Sequence, residues 1–206
     1  MVNIEQKNLQ GGQDVKEGKE AELSIKYRKG DSASFEQLIR PHLAMAYRTA
    51  CLIIRDRQLA QDAVQEALFE VYQSLDRFDP SRGVAFRTWF AKIVTHRALN
   101  AVRKNKSVDE YREWPAESTN PLDSVIEREE QQQIWRTICG MKVKHRTVVI
   151  LYYYGDFGIA EIAEMLGVFE GTVKSRLHHA RKLIAAELCK HDDTPHLSKV
   201  GVSTND

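Results

Sequence analysis

The sequence predicts an all-α protein built from two small helical domains that are joined by a flexible linker. On both sides of a central break, apolar residues recur at the three- and four-residue spacing of amphipathic helices. No segment shows the alternation of a half-buried strand, apart from the ambiguous run Val148–Tyr154. A chain of 206 residues suits one or two compact domains, and the break near its middle favours two.

Shifts in composition give the domain bounds. The chain starts with a polar segment that contains Gly11 and Gly12, and its end is again polar from His191. Helical periodicity is lost after Lys104, where Pro115 lies in a segment rich in polar residues. The sequence therefore predicts a mobile tail at 1–20, a first domain at 21–104, a linker at 105–124, a second domain at 125–190 with a helix-turn-helix, and a C-terminal tail at 191–206.

Each domain is predicted to be a series of helices. In the first domain the periodicity begins near Ala21, strengthens from Phe35 and returns at Phe86–Val102. The segment Asp79–Gly83 combines Asp, Pro, Ser and Gly and predicts a turn before the last of these helices. The helical pattern of the second domain is broken at three places: Lys142–Lys144, Gly155–Gly158 and Gly167.

The composition excludes several classes of protein. Hydrophobic residues make up 42% of the chain, which is enough for small cores, and no apolar run approaches the roughly 20 residues of a membrane helix. Residues 1–20 lack the apolar segment of a secretory signal. The three cysteines, Cys51, Cys139 and Cys189, lie far apart and form no CxxC pair. We therefore expect a cytoplasmic protein with no membrane insertion, no metal site and no cofactor.

The formal net charge is only +1, but the charges are arranged in blocks. Seven Lys and Arg residues and no acid lie between Arg82 and Lys106, whereas six acids and two bases lie between Asp56 and Asp79. A second acidic block covers 108–130, and a second basic block covers 171–190. This pattern predicts two basic surfaces for an anionic partner, with acidic surfaces suited to a basic partner.

The sharpest local pattern lies in the second domain. The short amphipathic segment 159–166 ends at Gly167, which suits a left-handed helix cap, and a second helix follows from Gly171. Ala163 is small where two helices would cross, and Val173 anchors the second helix six residues after Gly167. This spacing is typical of a helix-turn-helix.

The second helix of this motif has a basic face. Its apolar positions Val173, Leu177, Ala180 and Ile184 fall on one side. The other side carries side chains that can donate to phosphates and base edges in a major groove, and the alternative is a solvated basic face without a ligand. The candidate DNA-binding residues are Gly171, Thr172, Lys174, Ser175, Arg176, His178, His179 and Lys182.

The basic block of the first domain has a different pattern. Within Phe86–Arg103, one helical stripe is aromatic at its start and cationic further along. Aromatic rings stack on unpaired bases while cations follow the backbone, so this stripe suits single-stranded nucleic acid. The alternative is that the aromatic residues are core, which we accept for Phe90 and leave open for Trp89. The stripe consists of Trp89, Lys92, His96, Asn100 and Arg103.

A third stripe lies upstream on a separate predicted helix. Asp62, Gln65, Glu66 and Phe69 have offsets of 0, 3, 4 and 7 and therefore share one face. A polar and acidic stripe with one aromatic is either a docking surface or a plain solvated face, and its own residues do not decide between them.

The three patterns together resemble the extracytoplasmic-function group of bacterial σ factors, which have only regions 2 and 4. The segment Asp62–Tyr72 resembles region 2.2, and Phe86–Lys104 resembles regions 2.3 and 2.4. The segment Ile159–Arg181, above all Glu170–Leu177, resembles region 4.2. The resemblance covers about residues 35 to 188, in the order and with the linker of the family.

The resemblance implies a σ factor that directs RNA polymerase core to promoters. Region 2.2 is the family's main contact with core, so the stripe of Asp62, Gln65, Glu66 and Phe69 would bind core. Regions 2.3 and 2.4 melt and read the −10 element, which assigns the stripe that begins at Trp89 to single-stranded DNA. Region 4.2 assigns the basic helix face to the −35 duplex. The resemblance also implies an anti-σ factor as a partner. Melting would then proceed by capture of a flipped −10 base, held by the turn around Asp79–Gly83 or by the start of the next helix.

Three positions depart from the family pattern. His96 stands where region 2.4 usually has Asn, which bears on the −10 preference. Met141-Lys142 replaces the Leu-Pro pair that usually opens the helix before the helix-turn-helix. Phe169 replaces a small or polar residue in the turn and bears on how the recognition helix is set.

Other classes of function explain less of the chain. A stand-alone helix-turn-helix regulator of duplex DNA would use the second domain only, and a pure interaction module would use neither basic surface. An enzyme lacks support, because the sequence has no HExxH motif, no P-loop and no nucleophile elbow.

Overall fold

The computed structural model describes residues 18–80, 83–105 and 129–192. Every regular element in these three ranges is helical, which confirms the all-α prediction. The linker predicted at 105–124 falls outside the described residues except for Asn105, as do most of the two predicted tails.

Five α-helices lie in the part of the first domain that the structure describes. Helix α1 covers residues 18–28. It is followed by α2 (Ser32–Ile39), α3 (Leu43–Ile54), α4 (Arg57–Ser74) and α5 (Phe86–Lys104). The start of α1 at residue 18 corrects the predicted tail, since the helix begins within the segment 1–20.

Between residues 129 and 192 the second domain has four α-helices. They are α6 (Glu129–Gly140), α7 (Val143–Val149), α8 (Ile159–Leu166) and α9 (Glu170–Asp192). The ambiguous run Val148–Tyr154 is helical, because α7 continues into a wide π turn at Ile150–Tyr154. Helix α9 extends to Asp192, so the C-terminal tail begins later than predicted.

Short polar side chains and glycines set several helix ends. Asp31 precedes α2 and accepts a hydrogen bond from the N–H of Ala33 at 3.1 Å. Asp56 precedes α4 and accepts from the N–H of Leu59 at 3.0 Å. Both carboxylates satisfy N–H groups that have no partner within the helix. Gly167 ends α8 with φ +62°, which confirms the predicted left-handed cap.

The core of the first domain lies where α3, α4 and α5 pack on one another. Small residues on α4, among them Ala60 and Ala67, are fully buried and let the helices approach closely. Phe86 and Phe90 of α5 are also fully buried, which confirms the assignment of Phe90 to the core.

The core of the second domain forms around α9. The three positions Val173, Leu177 and Ala180 are buried against α6, α7 and α8, as their helical spacing predicts. Ala163 is buried in the same cluster, where α8 crosses α9.

The two domains also pack against each other. Ala91 of α5 lies in the core cluster of the second domain, and Ile150 of the π turn lies in that of the first. The buried side chain of Arg146 in α7 hydrogen-bonds the carbonyl of Ile53 in α3. Helix α8 lies on α5, so the helix-turn-helix is placed beside the predicted single-strand surface.

Candidate polymerase and nucleic-acid interfaces

The acidic stripe of α4 is open to solvent. Asp62, Gln65, Glu66 and Phe69 are all exposed on one face, while the opposite face is buried in the core. Phe69 is 63% exposed. Tyr72, one turn further along the same face, is 51% exposed, and the sequence analysis did not select it. Exposed aromatic rings flanked by acids are typical of a protein-binding surface.

The acids of this stripe are partly neutralised by the chain itself. Arg97 of α5 forms ion pairs with Glu66 at 3.4 Å and with Glu70 at 2.7 Å. The amide of Gln58 lies 3.4 Å from Asp62. The neighbour of Asp62 is thus a neutral amide, whereas the charge of Glu66 is offset in part by Arg97. The role of Arg97 could not be predicted, because it joins two separate helices.

The aromatic end of the α5 stripe belongs partly to the core. Trp89 is half-buried, and its ring centroid lies 5.3 Å from that of Phe78 and 5.7 Å from that of Phe86. At the other end, Asn100 and Arg103 are exposed, with their side chains 3.4 Å apart. The stripe therefore has a half-buried Trp89 at one end and exposed polar and cationic side chains at the other.

The middle of the α5 stripe contacts α8, although His96 is exposed and Lys92 is half-buried. The Nζ atom of Lys92 lies 3.3 Å from the Glu164 carboxylate. Nε2 of His96 donates to the carbonyl oxygen of Met165 at 2.7 Å. Two of the five members of the stripe therefore also contact the second domain, and their role in DNA binding stays a prediction.

Two further residues of α5 contact the second domain, and the sequence analysis missed both. Thr88 donates through Oγ1 to Glu161 at 2.7 Å. The guanidinium of Arg87 donates to the carbonyl of Gly155 and lies 4.3 Å from the centre of the Phe157 ring. Their partners are 68 and 73 positions away in sequence, so no local pattern could reveal these contacts.

A cleft of about 190 Å³ lies at this junction. The cleft is next to the predicted turn Asp79–Gly83. In this turn Gly83 has φ +71°, and its N–H donates to the carbonyl oxygen of Pro80 at 3.2 Å. Ser81 and Arg82 are outside the described residues. The first domain and α8 both contribute to its walls, which are formed by Arg77, Phe78, Asp79, Val84, Thr88, Trp89, Lys92, Glu164 and Met165.

The basic face of α9 is open. Gly171, Lys174, Ser175, His178, His179 and Lys182 are exposed, and Thr172 and Arg176 are half-buried. The Nζ atom of Lys174 lies 3.5 Å from Oε2 of Glu170, an exposed residue one turn earlier in α9. Arg181, at the flank, donates to the hydroxyl of Tyr153 at 2.9 Å. The structure therefore brings all eight predicted residues to one side of one helix.

Helix α7 adds positive charge beside this face. Lys142 and Lys144 lie near His145, whose ring is 4.5 Å from that of His179. Burial lowers the pKa of His145, and the charges of His179, Lys144, Arg176 and Lys142 lower this pKa further. These lysines lie at a predicted interruption of the helical pattern and are not among the predicted residues of the basic surface.

Phe169 occupies the turn between α8 and α9 and is 86% exposed. Its carbonyl oxygen accepts from the N–H of Thr172 at 2.9 Å and from that of Val173 at 3.3 Å, so Phe169 is the N-cap residue of α9. A phenyl ring has no atom that can cap the free N–H groups. The departure at this position therefore affects the start of the recognition helix, as its place in the sequence suggested.

Other kinds of site find no support in the described ranges. No group of three or more His, Cys, Asp or Glu side chains there is placed to hold a metal ion. Cys51 and Cys139 are buried and Cys189 is exposed, and all three thiols are free. Among the helices that are described, none is long and apolar enough to cross a membrane.

Two family models match the chain in the order that the sequence predicts. Residues 38–108 match Sigma-70 region 2, and residues 131–184 match Sigma-70 region 4. The first match covers α3, α4 and α5, with the acidic and aromatic–cationic stripes. The second covers the helix-turn-helix and most of α9.

Curated relatives share this arrangement over most of their length. The chain is 29% identical over 185 residues to the ECF RNA polymerase sigma factor SigW of Bacillus subtilis, covering 81% of this chain and 98% of that protein. It is 32% identical over 170 residues to the ECF RNA polymerase sigma factor SigM of Mycobacterium tuberculosis, covering 82% and 84%.

Solved structures show the same fold. The sigma factor RpoE of Bartonella quintana, solved in complex with the anti-sigma factor NepR, matches with a TM-score of 0.62 at 21% identity, covering 75% of this chain and 96% of that one. CnrH, solved in complex with the cytosolic domain of CnrY, matches with a TM-score of 0.63 at 21% identity, covering 84% and 98%.

These matches include both domains, whereas a stand-alone helix-turn-helix regulator would account for the second domain only. With both sigma-70 regions in order and a relative above 30% identity over most of its length, the chain belongs to the ECF group of RNA polymerase sigma factors.

Proposed function

We propose that this sigma factor binds core polymerase through α4, single-stranded −10 DNA through α5 and the −35 duplex through α9. The carrying observation is that six of the eight predicted residues on α9 are exposed on one side of the helix, and that α9 follows a helix α8 that ends at a left-handed glycine. Helix-turn-helix proteins place this second helix in the major groove. The proposed role is binding and positioning, without a reaction catalysed by the chain itself.

The proposed core-binding surface consists of Asp62, Gln65, Glu66 and Phe69, and we add Tyr72 because of its exposure. Phe69 and Tyr72 provide apolar area, and Asp62 provides a charge for a basic partner. An interface of this composition has aromatic anchors near its centre and charges at its rim.

The proposed −10 surface consists of Trp89, Lys92, His96, Asn100 and Arg103. Its base-binding element would be the cleft lined by Trp89, where a flipped base could stack on the indole ring. Asn100 and Arg103 are exposed and would contact the strand on either side.

The proposed −35 surface consists of Gly171, Thr172, Lys174, Ser175, Arg176, His178, His179 and Lys182. Lys142 and Lys144 of α7 would add phosphate contacts beside it. Phosphate contacts fix the position of the protein on the duplex, and base contacts give sequence preference. Linking two modest DNA-binding modules raises the affinity for promoters that have both elements at one spacing.

We also propose an anti-σ factor as a partner and the cytoplasm as the location. One structural neighbour, RpoE, was solved with the anti-sigma factor NepR, and another, CnrH, was solved with the cytosolic domain of CnrY. Core polymerase and promoter DNA, the other two proposed partners, are cytoplasmic in bacteria.

Co-elution with bacterial core polymerase in size-exclusion chromatography tests the proposed core surface. The wild-type chain should co-elute with core, and the double variant Asp62→Ala with Glu66→Ala should not. The matched control is Glu22→Ala with Glu36→Ala, which removes two exposed acids from α1 and α2. Normal core binding by the α4 double variant would overturn the assignment.

Selection of duplexes from a random pool by the wild-type chain with core polymerase tests the proposed −35 surface. Lys174→Ala and Arg176→Ala should each weaken binding to the selected duplex, and at least one should relax its sequence preference. Unchanged binding by both variants would show that α9 does not read the duplex.

A further inference from the structure

The turn between α8 and α9 carries an aromatic ring that the rest of the second domain leaves in solvent. Phe169 is 86% exposed, more than any other large apolar side chain in the described ranges. Its neighbour Val168 is half-buried and packs on the core of the domain. Of these two apolar side chains, one therefore faces the core and the next faces outward.

The backbone fixes the residue that carries this ring. The N–H of Val168 donates to the carbonyl oxygen of Ala163 in α8 at 3.0 Å. The carbonyl oxygen of Phe169 accepts from the N–H groups of Thr172 and Val173 in α9. The turn is thus tied to both helices, and its conformation does not depend on any contact of the ring.

An exposed phenylalanine is unfavourable at this place in the free chain. Asn, Asp, Ser and Thr are preferred at an N-cap because their side chains accept from the first N–H groups of the helix, and a phenyl ring cannot do so. Since the ring stays in water, Phe169 also gains little from burial. Residues that break local rules without a gain for the fold are expected at functional sites.

The position of the ring connects it with DNA. Phe169 precedes the first turn of α9, and helix-turn-helix proteins place the N-terminal residues of this helix against base edges in the major groove. The exposed residues Glu170, Gly171 and Lys174 follow it. Gly171 has no side chain, and nothing lies within 4 Å of the place that a Cβ atom would take there. The surface beside the ring is therefore open to a duplex.

We propose that Phe169 contacts the 5-methyl group of a thymine in the −35 duplex and thereby gives this sigma factor a preference for thymine at one position. The inference rests on the proposed function of α9. It adds a residue outside the predicted basic face, together with the chemical group that this residue recognises.

The chemistry of the turn favours a base over the phosphate backbone. A phenyl ring cannot donate to a phosphate oxygen, and the next side chain along, that of Glu170, is an exposed carboxylate. The apolar group that bases present in the major groove is the 5-methyl of thymine, and phenylalanine is one of the side chains that contact it. This contact would remove the ring and the methyl group from water together.

Replacement of thymine by uracil tests the contact, because it removes the methyl group and keeps the hydrogen-bonding groups of the base. The probe is the duplex selected from a random pool by the wild-type chain with core polymerase. Each thymine of its −35 element is replaced in turn, and binding to the complex of chain and core is followed by fluorescence anisotropy.

The scan is repeated with two variants of Phe169 and a control. Phe169→Ala removes the ring, and Phe169→Leu keeps an apolar side chain. The control Leu183→Ala removes a side chain that is 39% exposed on α9, roughly 20 Å along the helix from its start. Circular dichroism and co-elution with core polymerase are measured for each variant and should match the wild type.

One thymine should matter to the wild type, with about fourfold weaker binding when uracil replaces it, which is the effect of one buried methyl group. Phe169→Ala should bind the thymine duplex about fourfold more weakly or worse and should not distinguish uracil from thymine at this position. Phe169→Leu should recover part of the difference, and Leu183→Ala should behave as the wild type does.

Three results would overturn the proposal. The first is equal binding of uracil and thymine by the wild type at every position, which needs no variant to be seen. The second is a uracil effect that persists in Phe169→Ala, because another residue would then contact the methyl group. The third is loss of core binding in Phe169→Ala, which would assign the ring to the polymerase.

Failure of the proposed −35 surface would look different. If Lys174→Ala and Arg176→Ala leave duplex binding unchanged, α9 does not read the duplex and both proposals are wrong. If these two variants weaken binding while no thymine depends on Phe169, the −35 surface stands and only the contact of Phe169 is wrong.

Discussion

Nη2 of Arg146 lies 2.8 Å from the carbonyl oxygen of Ile53, and this hydrogen bond joins the two domains across 93 positions of sequence. Ile53 is the penultimate residue of α3, so its carbonyl is one of those left without a partner in the helix. A guanidinium at this end is also favoured by the helix dipole. One side chain therefore completes α3 and holds the second domain against it.

We expect Arg146→Ala to lower the free energy of unfolding by roughly 3 kcal/mol, because it leaves the buried carbonyls of Ile53, Cys139 and Met141 without this donor. Chemical denaturation followed by circular dichroism measures the loss. The control Arg48→Ala removes an exposed arginine from α3 and should change stability by no more than about 0.5 kcal/mol. A loss that is equally small in Arg146→Ala would contradict the structural role.

Phe169→Ser should raise the free energy of unfolding by about 1 kcal/mol, because serine can cap the first turn of α9 and phenylalanine cannot. The ring is 86% exposed, so its removal costs little burial. The measurement is the denaturation midpoint of the variant. Phe169→Ala, which also removes the ring but adds no cap, is the control and should show no such gain.

Gly155→Ala should destabilise the chain by at least about 2 kcal/mol. A Cβ atom there would lie 2.6 Å from the Phe157 ring and 2.7 Å from the carbonyl oxygen of Leu151, both inside van der Waals contact. Gly140→Ala is a matched control, because nothing lies within 4 Å of its new methyl group. This control should be stabilised by roughly 0.5 kcal/mol through the lower entropy of the unfolded chain. Equal stability of the two variants would contradict the crowding at Gly155.

The stability of the chain should fall in mild acid partly through His145. Its pKa in the folded chain lies below the ordinary value of 6.5, so the unfolded chain binds this proton more readily. The neutral ring of His145 therefore makes its full contribution to the free energy of unfolding above about pH 6.5. This contribution is lost as the pH falls toward the pKa of His145 in the folded chain. His145→Asn should have a shallower loss of stability between pH 7 and pH 5, as measured by denaturation at a series of pH values. An acid slope equal to that of the wild type would count against the shift.

The parts of the molecule that depend on local pattern could be predicted from the sequence. The spacing of Val173, Leu177 and Ala180 predicts the buried side of α9, and Gly167 predicts where α8 ends. In the same way, the four positions of the acidic stripe are exposed together because they share one face of α4. Helical periodicity and backbone conformational preference act within a few residues, so they are visible in one sequence.

The relation between the domains could not be predicted, because it depends on groups that are distant in sequence. Lys92 and His96 belong to a stripe that periodicity identifies, but nothing local shows that Glu164 and Met165 cover them. The sequence around Arg146 gives no sign that this arginine is buried. Only the structure shows its guanidinium beside the carbonyl of Ile53. The wide turn at Ile150–Tyr154 was ambiguous for a related reason, since its apolar side chains fit a strand as well as a buried helix.

The pair of Lys92 and Glu164 has a consequence for how ionic strength acts on this protein. A lysine that meets DNA from solution releases condensed counterions from the phosphates, and this release makes binding weaken as salt rises. Here Lys92 must first part from a carboxylate, 3.3 Å away, and salt assists that parting. The two effects oppose each other. The affinity of the −10 surface for a strand should therefore depend less steeply on salt than its number of cations implies.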